Sequence, residues 1–480
     1  MWISGSPGAG KSAIASTLVS ELTEQGRLGS FLFFKRGDAT LGNPAVLWRT
    51  VAFDLARFDT GIKDNLVQFL ARTEIRDGDI KLHFKCLVEE PLKKNYDRLS
   101  AAFPVVIIDA LDECGSDPSQ TIQRRILLDT ISSWSGLPRS FKLIVTSRDE
   151  RVPDLFHDDR VCHHIVLETG DSVGRETQKD IHIFFWKSLG SIRPSLGLPS
   201  GWPGKHLMDL LVQRAAGLFI WAETAMAFLA EEEFGVPDAR LNLILAGNVS
   251  PMTNKIDSLY QQILDFHFQT SNASTFKSFR AIVGAITVAK TPLHSKDLEY
   301  FLGQQEGEGK RQFNLVLHKL SSVISKKKTD EVLCLQHLSF AEYLSDAQRC
   351  HDLRFHTCKS DSTIGFALAC LHTMNAELKF NIGRWKSSYC RNDDIEQSMH
   401  IPTYLAYSCC FWAEHLREVE TESNDCGILI QELEHFFYTH FLHWLEALSL
   451  IKEVSRARMA LYFTIKWLSV SISDILIFTI

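Results

Sequence analysis

Short apolar runs alternate with amphipathic segments over the first 168 residues of the chain. The apolar runs predict five buried strands, at residues 1–4, 30–34, 105–109, 143–146 and 164–167. Apolar positions three and four apart predict the intervening helices, at residues 12–24, 44–58, 61–73, 80–94 and 121–134. Strands that alternate with helices in this way predict an α/β domain, whose parallel sheet carries helices on both faces.

After residue 168 the strand pattern fades and helical periodicity takes over. Residues 169–248 predict a small helical domain. Residues 249–345 combine helices with a β-hairpin, in the order of a winged-helix domain. Residues 346–450 predict a helical arm rich in aromatic residues, and residues 451–480 form an apolar tail.

The apolar tail has the length of a membrane span, but its sequence argues against one. About 20 apolar residues suffice to cross a bilayer. The tail carries Lys466 and Asp474, and charges inside a span are costly. We interpret the tail as a truncated helical repeat, or as read-through past an exon end, rather than as a membrane anchor.

A glycine-rich turn lies between the first predicted strand and the first predicted helix. It matches G-x-x-x-x-G-K-[ST] at every position, with the residues Gly5, Ser6, Pro7, Gly8, Ala9, Gly10, Lys11 and Ser12. Glycines allow backbone N–H groups to surround phosphate oxygens, and the helix N-terminus adds positive charge. In such a loop Lys11 reaches the β- and γ-phosphates and Ser12 ligates Mg²⁺. The turn therefore predicts the nucleotide site of a P-loop NTPase, because a plain glycine-rich turn would not require the Lys-Ser pair.

A second set of candidate residues follows the third predicted strand. That strand ends at Asp109, where a carboxylate would meet the same Mg²⁺ as Ser12. Asp112 and Glu113 come soon after, and one of them could position or deprotonate an attacking water. Helix capping by Asp112 is the alternative.

Arg148 follows the fourth predicted strand, in the sequence Thr146-Ser147-Arg148. Carboxyl ends of neighbouring parallel strands face one crevice. Arg148 could therefore sense the γ-phosphate or stabilise its charge. The alternative is a surface arginine at the end of a strand.

These motifs, in this order and spacing, resemble the NACHT domain of the STAND class of signalling NTPases. The resemblance is strongest to the fungal, nephrocystin-type version, which often reads M-W-I-S-G-S-P-G-A-G-K-S, D-A-L-D-E-C and T-S-R. It extends to A-A-G-L-F-I-W-A at residues 215–222 and covers most of residues 1–450. Relatives carry a G-x-P triplet whose proline touches the base. Here Gly217-Leu218-Phe219 stands in its place, which leaves the choice between ATP and GTP open.

The resemblance implies an ATP/ADP switch with Mg²⁺, slow hydrolysis and homo-oligomerisation of the active form. It also implies effector and sensor partners that are missing from this chain. Residues 337–344, H-L-S-F-A-E-Y-L, resemble the end of the family's winged helix. There the histidine reaches the β-phosphate of bound diphosphate and helps hold the closed state, which implies a nucleotide-sensing role for His337. A histidine satisfied by local backbone is the alternative.

Bulk composition excludes some classes of protein. A net charge of −7 and an isoelectric point near 6.2 argue against a nucleic-acid partner. The 11 cysteines show no zinc-site spacing, so we expect free thiols in a reducing compartment. No signal peptide is visible, and we predict a cytoplasmic protein.

Three alternatives to a switch stay open at this point. The chain could be a degenerate nucleotide-binding scaffold without turnover. A P-loop kinase would need an acceptor pocket, and the long helical second half argues against it. A DNA-binding regulator that uses a winged helix would need a basic recognition helix, and the net negative charge of the chain argues against it.

Overall fold

A computed structural model describes residues 1–36, 40–73, 78–115, 120–148, 152, 154–158, 161–231, 236–246, 255–326, 331–384, 401–420 and 426–478. The chain divides into two compact units, Met1–Ala246 and Gly247–Ile480. The predicted boundary at residue 248 lies outside the described residues. The finer division into five domains stays a prediction.

The first unit is built on a five-stranded parallel sheet with the strand order β2-β3-β4-β1-β5. The strands are β1 (Trp2–Gly5), β2 (Leu28–Phe33), β3 (Val105–Asp109), β4 (Lys142–Ser147) and β5 (His164–Leu167). All five lie where the apolar runs predicted them. Because the strands are parallel, their carboxyl ends share one edge of the sheet.

Ten α-helices of the first unit are described. They are α1 (Lys11–Glu24), α2 (Leu47–Phe58), α3 (Thr60–Leu70), α4 (Ile80–Leu82), α5 (Glu90–Lys94), α6 (Thr121–Ser133), α7 (Arg175–Ile192), α8 (Lys205–Ala215), α9 (Phe219–Leu229) and α10 (Pro237–Ala246). A π-helical segment, His83–Glu89, joins α4 to α5. The predicted helix at 80–94 is therefore continuous, but it changes its hydrogen-bonding pattern midway.

Alternation along the strands gives the sheet two apolar faces. Val106 and Ile108 of β3 belong to the larger core, which includes residues of α2, α3 and α6. Val105 and Ile107 belong to the smaller core on the other face, together with residues of α1. Successive strand residues point to opposite faces, so this continuous apolar strand is covered on both sides. The predicted α/β class, with helices on both faces of a parallel sheet, is confirmed.

The second unit is mainly helical. Its elements are α11 (Lys255–Phe268), α12 (Ala273–Val288), β6 (Leu293–His294), α13 (Ser295–Phe301), α14 (Gly307–Lys319), β7 (Ile324–Lys326), β8 (Val332–Leu335), α15 (Leu338–Ser345), α16 (Lys359–Glu377), α17 (Thr403–Arg417), α18 (Cys426–His435), α19 (Phe441–Leu450) and α20 (Ser455–Phe478). The three strands form an antiparallel sheet in the order β6-β8-β7. Helix α20 occupies most of the predicted tail. Among the described residues, no helix combines the length and the apolar character that crossing a membrane requires.

A buried histidine in the second unit should make its stability depend on pH. His415 of α17 is fully buried, and its Nε2 lies 2.9 Å from the hydroxyl of Tyr407. Burial, and then the charge of Lys290, lower the pKa of His415 well below its ordinary value of 6.5. As the pH falls below that value, the unfolded chain takes up a proton first. The free energy of unfolding therefore decreases from there toward the folded pKa.

We expect the thermal midpoint of the wild type to fall more between about pH 7.5 and 5.5 than that of His415→Gln. Differential scanning fluorimetry across this range measures the difference. The exposed His351 provides the matched control, and His351→Gln should keep the wild-type pH dependence. Parallel curves for the wild type and His415→Gln would contradict the prediction.

Candidate functional site

The predicted phosphate loop connects β1 to α1. Gly8 and Gly10 have φ values of 80° and 96°, in the left-handed region that glycine adopts without strain. Helix α1 begins at Lys11, directly after Gly10. The loop therefore has the backbone that brings successive N–H groups toward one point at a helix N-terminus.

The side chain of Lys11 is folded back onto this loop. Its Nζ donates to the carbonyl oxygens of Gly5 at 2.7 Å and Ser6 at 3.0 Å. Burial lowers the pKa of Lys11, and the nearby Asp112 carboxylate acts in the opposite direction. A half-buried ammonium group held against a loop of backbone amides suits a phosphate anion.

The start of α9 lies directly against the loop. The backbone N–H of Ile220 donates to the Gly8 carbonyl at 3.1 Å. A Cβ added at Gly8 would lie 2.0 Å from Cγ2 of Ile220, so Gly8 is also required to admit this side chain. Sequence reasoning missed the contact of Ile220. Its one available signal was the likeness of residues 215–222 to the family.

Asp109 occupies the carboxyl end of β3 and is 2% exposed. Its Oδ1 accepts a hydrogen bond from Oγ1 of Thr146, on the neighbouring strand β4. Ser12, the other predicted Mg²⁺ ligand, is the second residue of α1 and is exposed.

No group of three or more His, Cys, Asp or Glu side chains is arranged to hold a metal ion in the part of the chain that the structure describes. A nucleotide-bound Mg²⁺ does not require such a group. It is usually bound through one or two protein oxygens together with phosphate oxygens and water. One hydroxyl and one carboxylate at the phosphate loop fit that ligand set.

Asp112 and Arg148 form an ion pair with each other. Nε of Arg148 lies 3.1 Å from Oδ2 of Asp112, and the Arg148 backbone N–H donates to Oδ1 at 3.1 Å. Both side chains are largely buried. The two candidates were predicted from separate motifs, and the sheet edge brings them together.

Glu113 has a backbone partner that sequence reasoning did not identify. Its Oε2 accepts a hydrogen bond from the backbone N–H of Arg36, after β2, at 3.0 Å. Burial raises the pKa of Glu113, while the Arg36 amide opposes this by stabilising the charged form. A raised carboxyl pKa is the usual property of a group that exchanges protons near neutral pH.

Electrostatics connects these residues into one site. The charges that act on the pKa of Lys11 are those of Asp112, Arg148, Asp109 and Glu113. Predicted residues that end or follow two strands, β3 and β4, therefore lie near Lys11 of the phosphate loop. His337 belongs to the second unit.

His337 is the N-cap residue of α15. Its Nδ1 accepts a hydrogen bond from the backbone N–H of Ser339 at 3.0 Å. The hydroxyl of Ser339 lies 2.7 Å from the same nitrogen and 2.8 Å from the hydroxyl of Tyr260. Because Nδ1 accepts, the neutral ring carries its proton on Nε2.

A phosphate loop between the first strand and helix, with an acidic strand end beside it, defines an α/β P-loop NTPase. Residues 1–148 match the family model described as Nephrocystin 3, N-terminal. The vegetative incompatibility protein HET-E-1 of Podospora anserina is 24% identical over 490 aligned positions, which cover 94% of this chain and 33% of that protein. These matches confirm the resemblance to NACHT-type STAND NTPases. The chain spans about a third of the length of this curated relative.

Two solved structures are also similar. One is a STAND protein with a tetratricopeptide repeat sensor from Pyrococcus horikoshii, at 11% identity and a TM-score of 0.41, covering 98% of this chain and 55% of that one. The other is a Walker-type ATPase of Pyrococcus abyssi, at 14% identity and a TM-score of 0.31, covering 71% and 89%. Because both TM-scores are below 0.5, the fold class is assigned from the parallel sheet and the phosphate loop of this chain and not from these two structures.

Proposed function

We propose that this chain is a nucleotide-controlled signalling switch of the NACHT/STAND type. ADP occupies the resting state, and exchange for ATP with Mg²⁺ produces an active state that self-associates. The observation that carries the proposal is the phosphate loop, with Lys11 bound to two of its carbonyl oxygens and the acidic end of β3 beside it. The match of residues 1–148 to a nephrocystin-type family supports the same function.

Each residue of the loop has a defined task in this proposal. Backbone N–H groups at the end of the loop, where α1 begins, would bind the phosphate oxygens, and Lys11 would neutralise charge on the β- and γ-phosphates. Ser12 and Asp109 would hold Mg²⁺, which supplies charge neutralisation between those phosphates. Asp109 is suited to this because its carboxylate is almost completely buried at the end of β3 and its charge acts on Lys11 of the loop.

Hydrolysis in this proposal depends on Glu113, which would accept a proton from water. We expect turnover to be slow, because the hydrogen bond from the Arg36 amide to Oε2 stabilises the charged form of Glu113 and makes it a weaker base. Arg148 is likewise bound to Asp112. These contacts would restrict how Glu113 approaches the attacking water and how Arg148 approaches a γ-phosphate.

The Arg36–Glu113 hydrogen bond also favours a second candidate function. If this hydrogen bond leaves Glu113 too weak a base to deprotonate water, the chain is a nucleotide-binding scaffold without turnover. Native mass spectrometry of purified protein, with ADP or with a non-hydrolysable ATP analogue, tests the main proposal. We expect one bound nucleotide per chain and larger species with the ATP analogue. Protein that binds neither nucleotide would overturn both candidates.

Asp109→Asn and Glu113→Gln should separate metal binding from chemistry. Asp109→Asn should weaken Mg²⁺-dependent ATP binding more than metal-free ADP binding, because the carboxylate charge matters when the cation joins β- and γ-oxygens. Glu113→Gln should keep ATP bound and slow its hydrolysis by about 10²- to 10⁴-fold. Titration with fluorescent nucleotides and a phosphate-release assay measure the two effects.

Asp129→Asn is the control for these variants, since Asp129 lies on the exposed side of α6. It should behave like the wild type in both assays. If Asp109→Asn and Glu113→Gln hydrolyse ATP at the wild-type rate, both acids are structural. A wild type that binds ATP with Mg²⁺ and releases no phosphate would favour the scaffold.

A further inference from the structure

The hydroxyl of Thr146 joins two groups at the end of β3. Thr146 is fully buried on β4. Its Oγ1 donates to Oδ1 of Asp109 and accepts from the backbone N–H of Ala110 at 2.9 Å. A hydroxyl has one proton to donate, and the backbone N–H of Ala110 is a donor that cannot accept it. The proton of Thr146 must therefore point at the carboxylate, which orients both groups.

The amide partner is located at a strained turn. Ala110 has φ 58° and ψ 46°, in the left-handed region that a residue with a Cβ rarely adopts. Such backbone persists only where surrounding contacts hold it. The turn directs the chain from Asp109 into the 3₁₀ segment Leu111–Glu113, so the Thr146 hydroxyl stabilises the point from which Asp112 and Glu113 project.

We propose that Thr146 is the positioning residue of the Mg²⁺ site. It occupies Oδ1 of Asp109 and so would leave Oδ2 to hold the cation. It also prevents the carboxylate from rotating away from the phosphate loop. This assignment depends on the proposed function, since it requires a nucleoside triphosphate with a divalent cation at the loop.

Thr146→Val tests the assignment, because valine keeps the shape of the side chain and removes the hydroxyl. We expect the Mg²⁺ concentration needed for tight binding of a fluorescent ATP analogue to rise about 10- to 100-fold, the usual effect of losing the partner of a metal ligand. Binding of ADP in EDTA should not change. Thr146→Ser keeps the hydroxyl and should restore the wild-type Mg²⁺ response.

Ser147→Ala is the matched control for the loss of a buried hydroxyl. Ser147 is the next residue of β4 and is also fully buried, but its Oγ lies 2.8 Å from Nε1 of Trp2. We expect Ser147→Ala to lower the thermal midpoint and to leave the Mg²⁺ response unchanged. An equal loss of Mg²⁺ response in Ser147→Ala and Thr146→Val would mean that destabilised β4, rather than the Asp109 contact, is responsible.

A double variant covers the case in which Thr146→Val does not fold. Glycine adopts a φ of this sign without strain, so Ala110→Gly removes the need to hold the turn. In Ala110→Gly/Thr146→Val the protein should fold and the Mg²⁺ response should stay weakened. A wild-type Mg²⁺ response in Thr146→Val or in the double variant would overturn the assignment of Thr146 and leave the proposed function standing. Absence of ADP binding by the wild type would overturn the proposed function and the assignment with it.

Discussion

Replacing Lys11 by alanine should abolish nucleotide binding and leave the first unit folded. Nζ of Lys11 is held against the loop by two carbonyl oxygens, at 2.7 and 3.0 Å. A hydrogen bond to a charged group contributes about 1.5–3 kcal/mol. Each lost phosphate contact should therefore weaken binding roughly 10- to 150-fold. Burial already disfavours the charged form of this lysine, so its removal should cost the free energy of unfolding little.

Thermal unfolding with and without ADP or ATP–Mg²⁺ measures this effect. Wild-type protein should gain stability with either nucleotide, and Lys11→Ala should gain none. Lys81→Ala, at an exposed position of α4, controls for the loss of a positive charge and should respond like the wild type. Equal stabilisation of Lys11→Ala and the wild type by ATP–Mg²⁺ would show that this turn is not the nucleotide site.

The second large effect is expected at His337. The family resemblance implies a contact between this histidine and the β-phosphate of ADP in the resting state. Loss of one contact to a charged group would shift the balance of closed and open states by about 1.5–3 kcal/mol, or roughly 10- to 150-fold. We expect His337→Leu to release ADP faster by that factor and to form larger species. Displacement of a fluorescent ADP and light scattering after gel filtration measure the two results.

The N-cap role of His337 requires a second variant. His337→Leu also removes the acceptor for the Ser339 N–H, and a lost cap costs about 1 kcal/mol. His337→Asn keeps a capping oxygen but lacks the imidazole ring. If His337 senses nucleotide, both variants release ADP faster, and only leucine lowers the thermal midpoint. If His337→Asn behaves like the wild type and His337→Leu changes only the thermal stability, His337 is a helix cap and not a nucleotide sensor.

Local patterns account for the parts of the site that the sequence predicted. The run at residues 105–109 predicts a strand because it is short, rich in β-branched residues and uniformly apolar up to its final carboxylate, as in a strand covered on both faces. Gly8, Gly10 and Lys11 predict a phosphate loop because the glycines permit its left-handed φ values and the lysine follows them at the start of a helix. The carboxylate of Asp109 could be assigned to a strand end because it directly follows the apolar run in the sequence.

Contacts between distant segments were not predictable in this way. The Arg36 amide meets Glu113 across 77 residues of sequence, and Thr146 meets Asp109 across 37. A backbone amide carries no sequence signal, and a threonine in an apolar strand is typical of any sheet. The π-helical segment His83–Glu89 was equally hidden, since its residues also satisfy ordinary helical periodicity.

The sequence by itself determined the five strands, the phosphate loop and the acidic end of β3, because each depends on the chemistry of residues adjacent in the chain. Only the tertiary structure decided the strand order, and with it which side chains face Lys11. It also decided that Asp112 binds Arg148 and that Ile220 lies on Gly8. The physical reason is that strand order follows from packing helices on both faces of one sheet, and no single segment contains that information.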